Sequence, residues 1–200
     1  MRRDIKMEIF VMVVSYLIGS IPFSYIFSRK IKNIDIRNYG SGNVGATNAS
    51  RILGKKLGIL IALLDMFKGF AAVWISVLVL TPPDGSFIPL LAGIFVILGH
   101  DYSLFLKFTG GKGVATTIGV MLYLAPLLIL LGGIIWFLLV FLTKIVSLGS
   151  MIGMLSVPIF ALLLNYEITM VVFTLIYALL IIFTHRGNIK RLIRGEENKI

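Results

Sequence analysis

The sequence predicts an all-α integral membrane protein with seven transmembrane helices, the N-terminus outside and the C-terminus in the cytoplasm. Three observations carry this expectation. Of the 200 residues, 58% are hydrophobic and only 14% charged, against roughly 45–50% and about 25% in an ordinary soluble domain. The apolar residues fall in runs at about 7–28, 57–80, 87–106, 114–142, 145–165 and 168–184, each bounded by charge, Gly or Pro and long enough for a bilayer crossing, which takes about 20 residues. The basic residues gather in alternate connections, which is how the cytoplasmic side of a membrane protein is marked. The length accommodates one domain, 1–200, with no room for a separate soluble one.

In chain order, the start MRRDIKMEIF carries a basic flank before an apolar run, as a signal peptide does, but no A-x-A-like site follows and GSIPFSYIF continues the segment. A retained first helix is expected. The second run contains Asp65 and Lys68. Charges at such depth are costly unless paired or facing a wet cavity, and a spacing of three residues on a helix lets these two pair. The third run ends near His100, and the ordinary fate of a lone histidine there is a bond to a backbone carbonyl. The run 114–142 is 29 residues long; as a helix it would reach about 43 Å, against a hydrocarbon core of about 30 Å. Pro126 and the pair Gly132-Gly133 offer places for it to divide.

Charge parity tests the division. Arg29, Lys30, Lys32, Arg37, Arg51, Lys55 and Lys56 lie between the first two runs, whereas the connection 81–86 carries only Asp84. The former is therefore expected inside and the latter outside. The loop 107–113 is then inside, and so is the tail with Arg186, Lys190, Arg191 and Arg194. An even number of crossings must separate them, which a divided 114–142 supplies. Arg2, Arg3 and Lys6 oppose an outer N-terminus, partly offset by Asp4 and Glu8. The net charge of +10 alternates with membrane-length runs and forms no stripe, so no nucleic-acid partner is expected. With no cysteine, a disulfide framework, a thiol nucleophile and a thiolate metal site are excluded.

Three polar stretches stand out, all on the expected cytoplasmic side. The first, YGSGNVGATNASR at 39–51, mixes glycines that let backbone N–H groups turn inward with hydroxyls, amides and the planar fork of Arg51. Ser41, Asn43, Gly45, Thr47, Asn48 and Arg51 are candidate phosphate contacts; the plainer reading is a flexible polar loop. The second, GHDYSLFLKFTGGKGVATT at 99–117, sets Gly110, Gly111, Lys112 and Gly113 directly before an apolar helix, where free N–H groups and the positive dipole end converge. It is not a nucleotide P-loop, because Leu106 and Gly113 stand where Gly and Ser or Thr are required. The third, HRGNIKRL at 185–192, holds His185 and Asn188 three residues apart, on one face if the helix continues; Arg186, Lys190 and Arg191 read as interfacial anchors for anionic headgroups. Ser147 and Ser150 follow Lys144 near the same face, and alone each would read as a serine bonding back to its own helix.

The sequence closely resembles the bacterial acyl-phosphate:glycerol-3-phosphate acyltransferase family, the membrane enzymes that make lysophosphatidic acid. SGNVGATNASR resembles its first motif, GHDYSLFLKFTGGKGVAT its second and HRGNIKRL its third, in the family's order and across essentially the whole chain. The resemblance implies seven helices in the bacterial cytoplasmic membrane, an active site at the cytoplasmic face, acyl phosphate as donor, glycerol 3-phosphate as acceptor, and neither metal nor cofactor. Carried over by motif, Ser41, Arg51, Lys112 with its flanking glycines, His185 and Asn188 are the implied catalytic residues, together with Ser150 by its place in VSLGSM.

Both substrates carry phosphate, so two anion cradles are needed and the sequence offers two; which takes which stays open. The donor is already activated, so the protein has mainly to hold the acceptor hydroxyl against the acyl carbon and stabilise charge on the carbonyl oxygen. The hydroxyl proton goes either to His185 or to a phosphate oxygen of the donor, and no Ser–His–acid constellation is visible to activate Ser41 or Ser150. A transporter for phosphate-bearing solutes is the competing class, disfavoured because the polar stretches keep to one face. A lipid-binding scaffold would explain the basic anchors but not the glycines.

Overall fold

The structure is a computed structural model that describes residues 5–82 and 86–199. Arg2, Arg3, Asp4 and Asp84, which enter the orientation argument, lie outside the described residues. Ten α-helices run in the order α1 (Ile5–Ser20), α2 (Phe23–Lys32), α3 (Ala46–Leu53), α4 (Lys55–Leu80), α5 (Ile88–Asp101), α6 (Val114–Leu124), α7 (Pro126–Thr143), α8 (Val146–Leu163), α9 (Ile168–Thr184) and α10 (Arg186–Ile193), with short 3-10 turns at Ile36–Asn38 and Leu104–Leu106. Among the described residues there is no strand.

The breaks have local causes. The first apolar segment yields at Ile21-Pro22, where proline lacks the N–H a continuing helix needs, and resumes as α2 until Asn33 turns left-handed at φ 53°. The long run 114–142 does divide. The break falls at Ala125, with Pro126 in the first turn of α7, where its missing N–H costs nothing. Gly132 and Gly133, the other place offered, lie inside α7. The last apolar helix bends by 60° between α9 and α10.

Among the described residues five segments are long and apolar enough to cross a membrane: Ile5–Lys32, Lys55–Leu80, Ile88–Leu106, Pro126–Thr143 and Val146–Leu163. The bent pair α9 and α10 makes a sixth if taken as one span. Helix α6 has 11 residues, about 16 Å at 1.5 Å per residue, and so falls short of a hydrocarbon core of about 30 Å.

The chain gathers into two compact units, Met1–Leu124 and Ala125–Ile200. In the first, α1 packs on α5 and α4 on α6 with backbones in near contact. A Cβ at Gly19 would strike Val96 O, one at Gly99 would strike Tyr16 O, and one at Gly119 would strike Met66 O. Close approach through small residues is how helices associate in lipid, where apolar burial supplies no drive. In the second unit α7 packs on α8 and α8 on α9; a Cβ at Gly132 would come within 2.9 Å of Gly153 O. The outward faces carry Phe67, Trp74 and Leu78 on α4 and Phe137, Phe141 and Leu142 on α7, as lipid-facing surfaces do. Polar side chains turn inward instead: Ser20, Asn48, Asp65, Lys68, His100 and Asp101 are buried in the first unit and Ser147, Ser150, His185 and Asn188 in the second.

Replacing Gly119 by Val should prise α6 from α4 and destabilise the protein by about 1–3 kcal/mol, the usual range for overpacking. Thermal unfolding in detergent measures it, and an unchanged midpoint would refute the helix contact.

Candidate active site

The first polar stretch is held by one side chain. Asn48, in the first turn of α3 and 1% exposed, accepts the N–H of Ser41 at 2.9 Å on Oδ1 and donates through Nδ2 to Tyr39 O at 3.0 Å and Asn43 O at 3.1 Å. Its amide is thus committed to the loop, and it serves as a brace. Gly40 sits beneath it at φ 62°, and a Cβ there would run into Asn48 Oδ1, so only glycine fits on both counts. Ahead of the loop, Arg37 bonds Asp35 through Nε at 3.0 Å and a terminal nitrogen at 2.7 Å; these bonds hold the Asp35 carboxyl below the usual carboxylate range. The brace leaves Ser41, Thr47 and Arg51 exposed. Thr47 and Arg51, four apart on α3, share one helix face, and Gly45 opens that helix.

The second stretch leaves α5 and returns over its end. Ser103 Oγ donates to Ser20 O at 2.5 Å and Tyr16 OH to Tyr102 O at 2.7 Å, tying the turn to α1. The chain passes through left-handed Lys107 and Phe108, at φ 55° and 59°. Gly111 N–H then donates to His100 O at 3.0 Å. Gly113, at φ 76°, occupies a conformation that only glycine adopts without strain, and its carbonyl accepts from Thr117 N at 2.7 Å to start α6. Lys112 is thereby held between two glycines at the mouth of a helix.

The two stretches share a core. Val44 and Ala49 from the first and Leu106 from the second pack with Ile36 and Ile61 in one buried apolar cluster, flanked by Phe23, Tyr25 and Phe27. Beneath the second stretch lies a buried polar group. Lys68 Nζ is 2.8 Å from Asp65 Oδ1 and donates to Ile21 O at 3.0 Å, and His100 Nδ1 faces the same Asp65 oxygen at 3.5 Å. The pairing expected of Asp65 and Lys68 is present. His100 is buried at a helix end as expected, but its partner is a carboxylate where a carbonyl was anticipated.

In the second unit Ser150 Oγ donates to Val146 O at 2.9 Å and accepts Trp136 Nε1–H at 3.3 Å, the back-bonded serine together with a cross-helix contact. His185 caps α9 and opens α10, so the helix does not run straight on from it to Asn188. Its Nδ1 lies 2.7 Å from Ile181 O. A carbonyl only accepts, so Nδ1 carries the proton and the lone pair of a neutral ring is on Nε2.

A family sequence model described as glycerol-3-phosphate acyltransferase matches residues 9–195. The chain belongs to the glycerol-3-phosphate acyltransferase family. It is 43% identical to the glycerol-3-phosphate acyltransferase of Staphylococcus carnosus (strain TM300), over 97% of this chain and 98% of that one. It is 45% identical to that of Thermoanaerobacter sp. (strain X514), over 94% and 93%. Its fold resembles the crystal structures of PlsY (YgiH), an integral membrane glycerol 3-phosphate acyltransferase. The glycerol 3-phosphate form matches with a TM-score of 0.90 at 38% identity, over 96% of this chain and 95% of that chain. The lysophosphatidic acid form gives 0.88 at 37% over the same shares.

Within this family member the structure adds a residue that sequence reasoning missed. Glu197, in the tail beyond α10, accepts Ser147 Oγ–H at 2.8 Å and Asn188 Nδ2–H at 2.6 Å on Oε1, and Arg191 Nε–H at 2.7 Å on Oε2. It orients the Asn188 amide and ties α8 to α10. Nothing in the residue pattern announced it, since it lies past the third stretch in a charged tail where Glu reads as solvated. Partial burial pushes its carboxyl upward, but the bonds from Asn188, Ser147 and Arg191 prevail and hold it below its ordinary value.

A group with a lowered folded value adds stability above its unfolded pKa and loses it as pH falls through the folded one. The tail should therefore stay docked at neutral pH and release in acid, below the ordinary glutamate range. A spin label on Asn198→Cys, in a chain free of other cysteines, should become mobile on acidification. The same label should be mobile at all pH values in Glu197→Ala.

Proposed function

We propose that this protein transfers an acyl group from acyl phosphate to the 1-hydroxyl of glycerol 3-phosphate, forming lysophosphatidic acid for phospholipid synthesis. The observation that supports this reading is the shared core of Val44, Ala49 and Leu106, which packs the two glycine-rich stretches together in one unit. Two phosphate-bearing substrates need two such cradles. The glycerol-3-phosphate acyltransferase relatives and the glycerol 3-phosphate and lysophosphatidic acid forms of PlsY support the acceptor, the acylation and the product; the acyl phosphate donor rests on the motif resemblance.

In the reaction the hydroxyl oxygen bonds to the acyl carbon, the anhydride C–O bond breaks, and inorganic phosphate leaves. Ser41 and Thr47 donate hydrogen bonds to phosphate, with Asn43, Gly45 and the Asn48-braced backbone shaping the pocket, and Arg51 adds charge. The Lys112 ammonium and the backbone of the Gly110 to Gly113 turn, which is anchored by the Gly111 N–H bond to His100 O, form the other cradle. Nε2 of His185, with its lone pair set by the Ile181 bond, accepts the hydroxyl proton, and Asn188 and Ser150 position the acceptor. Transfer is direct, because the donor is already activated; Ser150 Oγ is engaged with Val146 O and Trp136 Nε1. The motif resemblance implies neither metal nor cofactor for this reaction.

For the setting we propose a single functional domain, 1–200, in the bacterial cytoplasmic membrane. It crosses seven times with the N-terminus outside and residues 40–51, 107–113 and 185–194 at the cytoplasmic face, with short α6 counted as one crossing.

Purified protein should form lysophosphatidic acid from acyl phosphate and glycerol 3-phosphate; no product would refute the reaction. Removing one charge-assisted contact costs about 1.5–3 kcal/mol, roughly tenfold to a hundredfold. Arg51→Ala and Lys112→Ala should each lose that much kcat/KM, and normal values in both would remove the phosphate assignment. Rapid quenching with labelled acyl phosphate alone should leave the protein unlabelled, whereas a competent ester on Ser41 or Ser150 would exclude direct transfer. Single cysteines placed at 110 and 190 should label from the same side of the membrane.

A further inference from the structure

The second cradle is laid against the end of α5 more closely than a flexible loop requires. A Cβ on Gly110 would strike His100 O, and one on Gly111 would strike the His100 ring at Nε2. At Gly113 it would come within 2.9 Å of Asp101 Oδ1 and 3.1 Å of Ile97 Cγ2. Three of the four residues from Gly110 to Gly113 therefore rest on His100 and its neighbours. His100 is itself held from the far side: its Nδ1 faces Asp65 Oδ1 at 3.5 Å, and Asp65 is fixed by Lys68 at 2.8 Å. The residue is 7% exposed, so the ring is packed over most of its surface.

We propose that His100 is a positioning residue for phosphate binding: anchored by Asp65, its ring is the floor under Gly111 and its carbonyl holds Gly111 N–H, and together they fix the turn that presents Lys112 to a phosphate. This rests on the phosphate role given to that loop under the proposed function. The mechanism is steric and local. Backbone N–H groups bind an anion only when several converge on one point, and a loop of glycines has no side chains to set that convergence, so the surface beneath must. The ring does not touch substrate. Its effect is on affinity for the phosphate the loop holds, with no direct part in acyl transfer.

A double-mutant cycle tests the floor, using Gly111→Ala, His100→Ala and the pair together in the full chain. KM for each substrate, kcat, thermal unfolding and calorimetric binding of glycerol 3-phosphate and inorganic phosphate are measured. Gly111→Ala alone is expected to weaken one phosphate ligand about tenfold or more, because its new methyl strikes the ring. In the His100→Ala background the same change is expected to cost less than about threefold, the coupling of two residues in contact. KM for the other substrate and kcat are expected to stay within about threefold throughout, a split that general unfolding would not give. Equal cost of Gly111→Ala in both backgrounds overturns the proposal, as does a parallel loss for both substrates.

If His100→Ala does not fold, the cycle is run with His100→Asn, whose shorter amide still faces Asp65 but clears Gly111; additivity there overturns the proposal equally. A wild-type chain that binds phosphate but transfers no acyl group would refute the reaction and leave the floor to be decided by binding. A wild-type chain that transfers, with an additive cycle, would refute the floor and leave the reaction. A wild-type chain that binds neither ligand would overturn both.

Discussion

Asp65 and Lys68 are one turn apart on α4, buried in a helix that is otherwise apolar, with their charged atoms 2.8 Å apart. Breaking such a pair by removing one partner costs about 3–5 kcal/mol, because the remaining charge is left without compensation. Each charge also reaches a second element: Lys68 donates to Ile21 O at the joint between α1 and α2, and Asp65 faces His100 on α5. The pair therefore ties α4 to the joint between α1 and α2 and to the end of α5, where the second glycine-rich stretch begins. An apolar contact would slide with little loss. A buried charge pair of this kind has one satisfactory register, which is the best-attested use of such groups.

The glycine contacts give that register its depth. Gly19 and Gly99 bring α1 and α5 together, and Gly69 and Gly119 bring α4 and α6 together, with backbone against backbone. Side chains at those places would separate the helices and leave the charged group in a wider space. Lipid supplies no hydrophobic force between helices, so the close contact and the buried polar bonds carry the association jointly. The exposed Phe and Leu side chains of α4 and α7 serve the solvent and leave the interior to small and polar residues.

Much of this was legible in the sequence because membrane helices announce themselves by length and composition. The apolar runs located the long helices, the excess length of 114–142 foretold its division, and the i, i+3 spacing foretold the pairing of Asp65 with Lys68. Length also misled: the run divides unequally at Pro126, leaving α6 with 11 residues, because proline stops a helix at a fixed residue whereas the glycine pair is absorbed into α7. The glycine-rich stretches stood out from composition as candidate anion sites. The wiring behind them was not. That Asn48 braces Tyr39, Ser41 and Asn43, that His100 meets Asp65 across two helices, and that Glu197 reaches Ser147 fifty residues away are tertiary facts with no local period or spacing.

These three long-range contacts answer a common difficulty. A backbone anion cradle works only if its N–H groups are not consumed by helix or sheet bonds, yet a segment without those bonds has nothing of its own to hold it in shape. Leaving it mobile would make each binding event restore the order, at roughly 1–2 kcal/mol per residue fixed. Here the shape is imposed by side chains that flank the turns. The Asn48 amide closes the first loop, the end of α5 underlies the second, and the Glu197 carboxylate gathers Ser147, Asn188 and Arg191 beside His185. In the first of these the division of labour is plain: Asn48 is buried and spends its amide on the loop, so the exposed side chains of Ser41, Thr47 and Arg51 are distinct from the one that fixes their geometry.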